Sequence, residues 1–332
     1  MHDLSSYNSF GLHVSAQDLI VVQSEAQLDE IDLEQVLILG KGSDVLFTDD
    51  YDGTVLIDEI KGVQIERDGP DYLVRAGGGV VLDELIAELV SRNISGMENL
   101  SAIPGTLGAA PVQNIGAYGV EIGDLIEEIE FYDLERHVLQ TFDREQCAFA
   151  YRSSYFKEHK SDPLFISRVT LRLNSVFDPD LSYKGVRELD PKSPYELRTR
   201  IAQLRRQKLP DPQEVGNAGS FFKNPVVTED KLKELQARYS DLPVYRTAQP
   251  GLYKLAAGWL IDKAGCRGIT HGHAGTWEHQ ALVIVNRGGA RPHEIVALAQ
   301  YVRSEVANAF GILLEPEVRV YNRQGEISWE QL

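Results

Sequence analysis

The stretch from residue 99 to residue 119 reads NLSAIPGTLGAAPVQNIGAYG, and nearly every side chain in it is small. A core strand or helix of this composition would be under-packed, because small side chains leave the surrounding space unfilled. Small residues are required instead where a backbone approaches a ligand closely. The stretch therefore predicts a loop against a flat, phosphate-bearing ligand, with an ordinary long loop as the alternative.

The charge of the chain limits its partners. Its 332 residues contain 33 Lys plus Arg against 50 Asp plus Glu, which gives a formal net charge of −17. Because a protein this acidic repels the phosphate backbone of nucleic acids, we expect no nucleic-acid partner. Any site that binds an anion must be locally basic. The length predicts about two domains.

Cysteine content and hydropathy indicate the compartment. Cys147 and Cys266 are too few for a disulfide framework and indicate a reducing environment. The N-terminal residues form no apolar signal segment, and no apolar stretch approaches the ~20 residues that a membrane span needs. We therefore expect a cytoplasmic protein without membrane insertion.

Hydrophobic periodicity predicts an α+β fold. The first half of the chain contains short β-rich runs, at 35–39, 53–57, 72–76 and 164–173. Helices are predicted at 82–92, 193–208, 228–238, 255–264 and 292–310. The last strand-like segment runs from Ile312 to Tyr321. Strands and long helices do not alternate regularly, which argues against a doubly wound parallel sheet.

A glycine-rich turn, Gly40-Lys41-Gly42-Ser43-Asp44, follows the first predicted strand. It is not a Walker loop, because Gly42 separates the Lys from the Ser. It is not a dinucleotide fingerprint, because Val45 stands where a third Gly or Ala is needed. The turn indicates a nest of backbone N–H groups that binds an anion, with a plain turn as the alternative.

Two other kinds of site have little support. His271, His273 and His279 have workable metal spacing, but no Cys or Asp nearby completes a ligand set, so no metal is predicted. A Gly-x-Ser-x-Gly elbow is absent from the sequence, which leaves a serine hydrolase without support.

Three polar residues stand among apolar neighbours: Arg152, Ser220 and Glu317. Taken singly, they suit a surface ion pair, a turn and a strand edge. Taken together, they supply a cation, a hydroxyl proton donor and a carboxyl group. That set is suited to stabilising and protonating an enolate-like intermediate.

At these positions the sequence resembles the UDP-N-acetylenolpyruvoylglucosamine reductases, a family of flavoenzymes. Four segments carry the resemblance in order: the small-residue stretch, Tyr-Arg-Ser-Ser-Tyr-Phe from Tyr151, Gly-Asn-Ala-Gly-Ser-Phe-Phe-Lys-Asn-Pro from Gly216, and Leu-Glu-Pro-Glu-Val-Arg from Leu314. The resemblance spans essentially the whole chain. It also extends to the segment around Tyr183, which resembles the loop of the longer subtype whose Tyr closes over the substrate.

The resemblance implies a vanillyl-alcohol-oxidase-type (PCMH-type) FAD-binding lobe over 1–205, rejoined by 310–332, with an inserted α+β substrate-binding domain over 206–309. It implies that FAD binds non-covalently beside the glycine-rich turn, the small-residue stretch and Tyr151. The implied FAD-binding residues are Gly42, Ser43, Asp44, Pro104, Gly105, Gly108, Asn114, Gly116, Ala117, Tyr118 and Tyr151. Asp44 departs from the usual Asn of the family. A carboxylate beside a pyrophosphate is electrostatically unfavourable, so we expect its side chain to point away.

The resemblance also implies roles in catalysis and substrate binding. NADPH would reduce the flavin, Arg152 and Glu317 would stabilise the enolate, and Ser220 would deliver the proton. The UDP-sugar substrate would be held by polar residues of both lobes, namely Tyr183, Lys208, Lys223, Asn224, Tyr245 and Gln280. We expect the enzyme to be a monomer.

Two alternatives remain open from the sequence. The first is another FAD-dependent oxidase or dehydrogenase of the same fold, although no His or Cys in the small-residue stretch offers covalent flavin attachment. The second is a non-catalytic nucleotide-binding module.

Overall fold

The structure, a computed structural model, describes residues 1–31, 35–183, 185–247 and 249–332. It contains two compact units. The first comprises residues 1–2, 16–42 and 52–206, and the second comprises residues 3–15, 43–51 and 207–332. Of the segment around Tyr183, Lys184 lies outside the described residues.

The strands, in chain order, are β1 (His2–Asp3), β2 (Ser15–Val22), β3 (Val36–Leu39), β4 (Val45–Phe47), β5 (Tyr51–Asp58), β6 (Val63–Asp68), β7 (Asp71–Gly77), β8 (Gly116–Ala117), β9 (Val120–Glu121), β10 (Ile126–Asp133), β11 (Val138–Asp143), β12 (Leu164–Asn174), β13 (Gly216–Ser220), β14 (Val226–Thr228), β15 (Val244–Arg246), β16 (Leu252–Leu255), β17 (Thr270–His271), β18 (Ala274–Thr276), β19 (Val283–Asn286), β20 (Arg319–Asn322) and β21 (Gly325–Ile327).

The α-helices are α1 (Leu82–Ser91), α2 (Tyr155–Glu158), α3 (Pro194–Lys208), α4 (Glu229–Arg238), α5 (Ala257–Lys263) and α6 (Pro292–Phe310). Short 3-10 helices occupy Ser5–Tyr7, Glu25–Glu30, Glu98–Leu100, Ile122–Asp124, Arg187–Leu189 and Trp329–Gln331. Every helix predicted from the sequence is present, with ends that differ by at most two residues. None of the helices in the described residues combines the length and the apolar character that a membrane crossing requires.

The first unit is built on an antiparallel five-stranded sheet in the order β11-β10-β12-β7-β6. Helix α1 belongs to the core of this sheet, because Leu82, Leu85, Ile86, Leu89 and Val90 recur at helical spacing and are all buried. A second sheet, in the order β1-β2-β5-β3, pairs β3 with β5 in parallel register.

The second unit assembles distant parts of the chain. Strand β4 pairs in parallel with β20, and β20 pairs with β21. Its other sheets have the orders β13-β19-β18-β17 and β14-β16-β15. Helix α6 contributes a buried face to this unit and ends at Gly311, whose φ of 65° lies in the left-handed region that glycine adopts without strain.

The end of the chain differs from one expectation. The predicted strand from Ile312 to Tyr321 is too long, because only its end from Arg319 belongs to β20 and Pro316 makes an isolated bridge to Phe222. Proline has no N–H to donate to a ladder. Residues 310–332 lie in the second unit, where β20 pairs with β4.

Gly78, directly after β7, and Gly108 bring two segments of the first unit into close contact, and we call this contact the glycine junction. A Cβ atom on Gly78 would lie 2.2 Å from Oδ2 of Asp58 and 2.4 Å from the carbonyl oxygen of Ile166. One on Gly108 would lie 2.9 Å from the same Asp58 oxygen. The N–H of Gly108 donates to the carbonyl of Gly78 at 2.8 Å. Side chains are therefore excluded here by protein backbone and a buried carboxyl group.

We expect Gly78→Ala to lower the free energy of unfolding by at least about 3 kcal/mol, because its Cβ has no space without backbone movement. Gly69→Ala is the matched control: its φ is +60° and no heavy atom lies within 4 Å of the added Cβ. That control should lose only about 1 kcal/mol, from left-handed strain alone. Urea unfolding of both variants, followed by circular dichroism, makes the comparison, and equal losses would contradict the junction.

Candidate active site

The small-residue stretch is fixed to the glycine junction by its own backbone. The N–H of Leu107 donates to the carbonyl of Val80 at 2.8 Å, and the N–H of Leu82 donates to the carbonyl of Gly105 at 3.1 Å. A Cβ on Gly40 would lie 2.4 Å from Oγ1 of Thr106. Part of the need for small residues therefore comes from packing of one loop on another within the first unit.

The same loops fit a phosphate-bearing cofactor. The Thr106 residue is 2 % exposed, and its hydroxyl has no hydrogen-bond partner among the described residues. A buried hydroxyl without a partner costs about 1–3 kcal/mol, which a ligand oxygen at that place would offset. Gly42 and Gly105 hold φ values of 59° and 128°, so both turns use conformations that glycine tolerates. A buried hydroxyl without a partner beside two glycine turns fits a phosphate-bearing cofactor such as FAD.

Asn114 fixes the far end of the small-residue stretch. Its side-chain oxygen accepts the N–H of Gly123 at 2.9 Å, and its Nδ2 donates to Glu121 and to the carbonyl of Ala150 at 2.8 and 3.1 Å. Asn114 is 2 % exposed and has a φ of 47°. A left-handed asparagine with all its polar atoms engaged is a rigid support for the residues that follow.

Arg152 lies beside that support. Its Nη2 donates to the carbonyl of Gly116 at 3.3 Å, and its guanidinium carbon lies 5.3 Å from the ring centre of Tyr151. Its own φ is 55°, an uncommon conformation for arginine that surrounding contacts must hold in place. The structure thus brings Asn114, Gly116, Tyr151 and Arg152 together.

Tyr118 and Tyr183 form an edge-to-face pair with ring centres 5.4 Å apart. Both contact the small core around Val186, Leu197 and Ile201. Burial raises the pKa of Tyr118, so its hydroxyl stays protonated over the physiological range. The residue predicted to cover the substrate therefore packs on a residue predicted to contact the cofactor.

Arg205, which the sequence analysis did not single out, contacts the small-residue stretch. Its Nε donates to the carbonyl of Ala102 at 3.2 Å, and burial lowers its pKa against the opposing effects of Tyr118 and Asp83. The available signal was its spacing: Arg205 follows the buried Leu197 and Ile201 at intervals of four, which places it on the inward face of α3. A desolvated guanidinium suits an anionic ligand.

In the second unit, Ser220 and Glu317 belong to neighbouring segments. Ser220 ends β13 opposite Val283, directly after Gly219 with its φ of 68°. The N–H of Glu317 donates to the carbonyl of Phe221 at 2.8 Å. Because Phe221 is the residue after Ser220, this hydrogen bond joins the backbone of the carboxyl residue to that of the hydroxyl residue.

Other predicted substrate residues also lie in the second unit. Lys223 pairs with Glu315 at 2.5 Å, and the Oδ1 of Asn224 accepts the N–H that begins helix α5 at 2.9 Å. Gln280 lies at the turn before β19, where its carbonyl accepts the N–H of Val283 at 3.0 Å. Tyr245 lies on β15 opposite Lys254, and Lys208 is exposed at the end of α3.

The remaining predicted cofactor residues also have defined places. Gly116 and Ala117 form β8, which pairs with β9. Pro104 lies in the turn before Gly105 in the first unit. Ser43 and Asp44 belong to the second unit, where the carbonyl of Asp44 accepts the N–H of Arg319 at 3.1 Å.

A depression of about 400 Å³ lies behind Asn114 in the first unit. Its rim includes Glu121, Asp124 and Glu145 against one cation, Arg144, which is already paired with Asp124 at 2.7 Å. An acidic surface of this kind disfavours phosphate. No group of three or more His, Cys, Asp or Glu within the described ranges is arranged to hold a metal.

Asp58 places an ionisable group inside the glycine junction. The residue is 5 % exposed, and its Oδ1 accepts the N–H of Ile60 at 3.0 Å. Burial raises the pKa of this carboxyl to about 7, although the Ile60 N–H and Lys61 both act to lower it and Glu59 adds to the rise. The group therefore titrates near neutral pH.

Comparison with known proteins identifies the two parts of the chain. Residues 211–321 match the family model of the UDP-N-acetylenolpyruvoylglucosamine reductase C-terminal domain, and residues 17–140 match that of an FAD binding domain. The UDP-N-acetylenolpyruvoylglucosamine reductase of Shewanella oneidensis is 40% identical over 335 residues, covering 98% of each chain. That of Burkholderia ambifaria is 42% identical over 332 residues, covering 95% of each.

A solved structure shares the fold. The crystal structure of UDP-N-acetylenolpyruvylglucosamine reductase from Thermus caldophilus superposes with a TM-score of 0.68 at 23% identity and covers 96% of each chain. The predicted α+β fold class, an FAD-binding lobe of vanillyl-alcohol-oxidase type with a substrate-binding domain, is confirmed by this match and by the FAD binding domain model.

The raised pKa of Asp58 makes stability depend on pH with a defined sign. The native state holds the Asp58 proton more tightly than the unfolded chain, so the free energy of unfolding falls as pH rises from about 4 to about 7 and is level above that. Asp58→Asn removes this pH-dependent loss of stability. The free energy of unfolding of the variant should therefore exceed that of the wild type by up to about 4 kcal/mol at pH 8 and equal it near pH 4.

Urea unfolding at a series of pH values measures this difference. Asp178→Asn, which replaces an exposed aspartate of the same unit, is the control: it keeps Asp58, so its free energy of unfolding should follow the pH dependence of the wild type. A constant difference between Asp58→Asn and the wild type from pH 4 to pH 8 would contradict a buried, neutral carboxyl group.

Proposed function

The chain belongs to the UDP-N-acetylenolpyruvoylglucosamine reductase family, and we propose on that premise that Arg152, Ser220 and Glu317 carry its reaction. The protein is an FAD-dependent, NADPH-driven oxidoreductase of peptidoglycan synthesis. It reduces the enolpyruvyl group of UDP-N-acetylglucosamine enolpyruvate to give UDP-N-acetylmuramate. The observation that best supports the assignment of residues is the hydrogen bond from the Glu317 N–H to the carbonyl beside Ser220.

FAD, held by the residues of the two glycine-rich segments, would supply hydride transfer from NADPH to the terminal carbon of the enolpyruvyl double bond. Addition of hydride there leaves a pair of electrons on the carbon next to the substrate carboxylate. The chain must then stabilise that charge and supply one proton to that carbon. Two of the three residues serve the first task, and one serves the second.

Arg152 and Glu317 stabilise the enolate. A guanidinium donates two parallel hydrogen bonds to a carboxylate, so Arg152 orients the substrate and offsets its charge. Glu317 is assigned the second contact to the enolate, in which its carboxyl group donates a hydrogen bond. Both interactions strengthen as charge develops, which is the condition for lowering the barrier.

Ser220 delivers the proton to the carbanion. A serine hydroxyl is a weak acid, so this transfer depends on a strongly basic acceptor and on correct placement. The placement comes from the Gly219 turn and from the pairing of β13 with β19. Solvent then returns a proton to the Ser220 oxygen.

The cofactor assignment follows the two glycine-rich segments. We assign FAD contacts to Gly42, Ser43, Asp44, Pro104, Gly105, Gly108, Asn114, Gly116, Ala117, Tyr118 and Tyr151. The partnerless hydroxyl of Thr106 and the open glycine turns support this assignment. We also propose that residues 1–205 together with 310–332 form the lobe that binds the cofactor, and that residues 206–309 form the domain that binds the substrate.

Substrate recognition needs local cations, because the substrate carries a diphosphate and a carboxylate, whereas the formal net charge of the protein is −17. We assign it to Tyr183, Lys208, Lys223, Asn224, Tyr245 and Gln280. Arg205 adds a half-buried cation that the substrate or the cofactor can use. The enzyme acts as a monomer in the cytoplasm.

Stopped-flow spectroscopy of the flavin tests the role of Ser220 in two half-reactions. Ser220→Ala should slow reoxidation of the reduced flavin by the enolpyruvyl substrate by about 10²-fold or more, because the proton donor is lost. Flavin reduction by NADPH should stay within about twofold, since that step needs no proton from Ser220. Ser240→Ala, an exposed serine of the same unit, is the control. Equal slowing of both half-reactions would refute the role.

Arg152→Lys and Glu317→Gln test stabilisation of the enolate. Each should lower the rate of reoxidation by about 10²- to 10³-fold, as loss of one preorganised electrostatic contact does elsewhere. Glu317→Gln keeps a hydrogen-bond donor, so Glu317→Ala should be the slower of the two variants at this position. Turnover equal to that of the wild type in either Arg152→Lys or Glu317→Gln would remove that residue from the mechanism.

A further inference from the structure

The turn that carries Arg152 is attached to the small-residue stretch at alternate positions. The Oγ of Ser154 donates to the carbonyl of Val112 at 2.6 Å, and the Nδ2 of Asn114 donates to the carbonyl of Ala150 at 3.1 Å. All these residues belong to the first unit. The turn and the stretch therefore form one support for the Arg152 side chain.

Arg152 occupies a strained place in this turn. Ala150 and Ser153 exchange two backbone hydrogen bonds of 3.0 Å, which leaves Tyr151 and Arg152 as the two central residues. Arg152 has a positive φ, of 55°, and Tyr151 does not. Turns of this kind favour Gly or Asn at the second central position, because a Cβ atom is strained there. Other contacts must therefore hold the backbone of Arg152 in this conformation.

Lys157 supplies one of these contacts. Its Nζ donates to the carbonyl of Arg152 at 3.0 Å. The same peptide group is held at its other end, where the N–H of Ser153 donates to the carbonyl of Ala150. Lys157 is half-buried in α2, a helix that Ser154 caps. A hydrogen bond from an ammonium group is stronger than one between neutral groups, so Lys157 fixes the peptide that follows the Arg152 Cα.

We propose that Lys157 is a positioning residue, whose ammonium group holds the left-handed backbone of Arg152 and so directs its guanidinium toward the substrate carboxylate. The inference rests on the role of Arg152 in the proposed function. In a right-handed conformation the Cα–Cβ bond of Arg152 would leave the backbone in another direction. The guanidinium would then lose its place beside the Gly116 carbonyl and the Tyr151 ring.

Stopped-flow spectroscopy in the absence of oxygen tests this role with Lys157→Met, which keeps an unbranched side chain and removes the ammonium group. Reoxidation of the reduced flavin by the enolpyruvyl substrate should slow by about tenfold or more, because misplacement of an orienting group raises the barrier. Flavin reduction by NADPH should stay within about twofold, since that step does not involve the substrate carboxylate. Lys157→Arg keeps a cationic donor and should stay within about threefold of the wild type in both steps. If urea unfolding shows that Lys157→Met does not fold, Lys157→Gln takes its place, because its side chain is shorter and uncharged.

A double-mutant cycle separates positioning of Arg152 from a general loss of structure. Arg152→Met removes the guanidinium and should slow reoxidation at least as much as Lys157→Met. In the Arg152→Met background, Lys157→Met should slow reoxidation by less than about twofold more, because a residue that acts only through Arg152 has nothing left to position. Lys160→Met, at the exposed lysine three residues after Lys157, is the control and should leave both half-reactions within about twofold.

The outcomes separate the inference from the function on which it rests. Wild-type reoxidation in Arg152→Met would remove the proposed role of Arg152, and the inference with it. Slow reoxidation in Arg152→Met together with wild-type reoxidation in Lys157→Met would overturn the inference alone. It would also be overturned by equal slowing of both half-reactions in Lys157→Met, or by the same loss in the Arg152→Met background as in the wild type. Lys157→Arg as slow as Lys157→Met would count against it as well.

Discussion

Close approach of one backbone to another is the constraint on which the cofactor region depends. Gly78 and Gly108 leave room for the buried carboxyl of Asp58, and Gly40 leaves room for the hydroxyl of Thr106. Any side chain at these glycines would separate the loops that carry the predicted cofactor residues. The small-residue stretch is therefore under two demands at once, packing against the protein and access for a ligand.

Two arginine side chains, Arg205 and Arg319, are partly buried in this acidic protein. Tyr118 acts on the charge of Arg205 in one unit, and Glu326 accepts hydrogen bonds from Arg319 in the other. Removing a cation from water is costly unless neighbouring polar groups repay it. Cations held in this way keep their positions when an anionic ligand arrives, so little reorganisation is needed on binding.

Local signals explain what the sequence could predict. The spacing of Leu82, Leu85, Ile86 and Leu89 defined α1, and Ser193 capped α3 as its sequence indicated, with its hydroxyl accepting the N–H of Glu196 at 3.1 Å. The last strand was predicted too long, because β20 begins only at Arg319, where it pairs with β4, and no local pattern reveals that pairing. Arg205 and Asp58 were missed for a related reason: their burial is decided by residues far away in sequence.

The pairing of β4 with β20 has a consequence for synthesis of the protein. Thr48 donates to the carbonyl of Tyr321, a partner 273 positions later in the chain. At about 5–20 residues per second, a ribosome needs roughly 15–55 s to deliver that partner. During this interval the nascent β4 lacks the strand with which it pairs, so its edge of apolar residues stays uncovered until the last segment of the chain emerges.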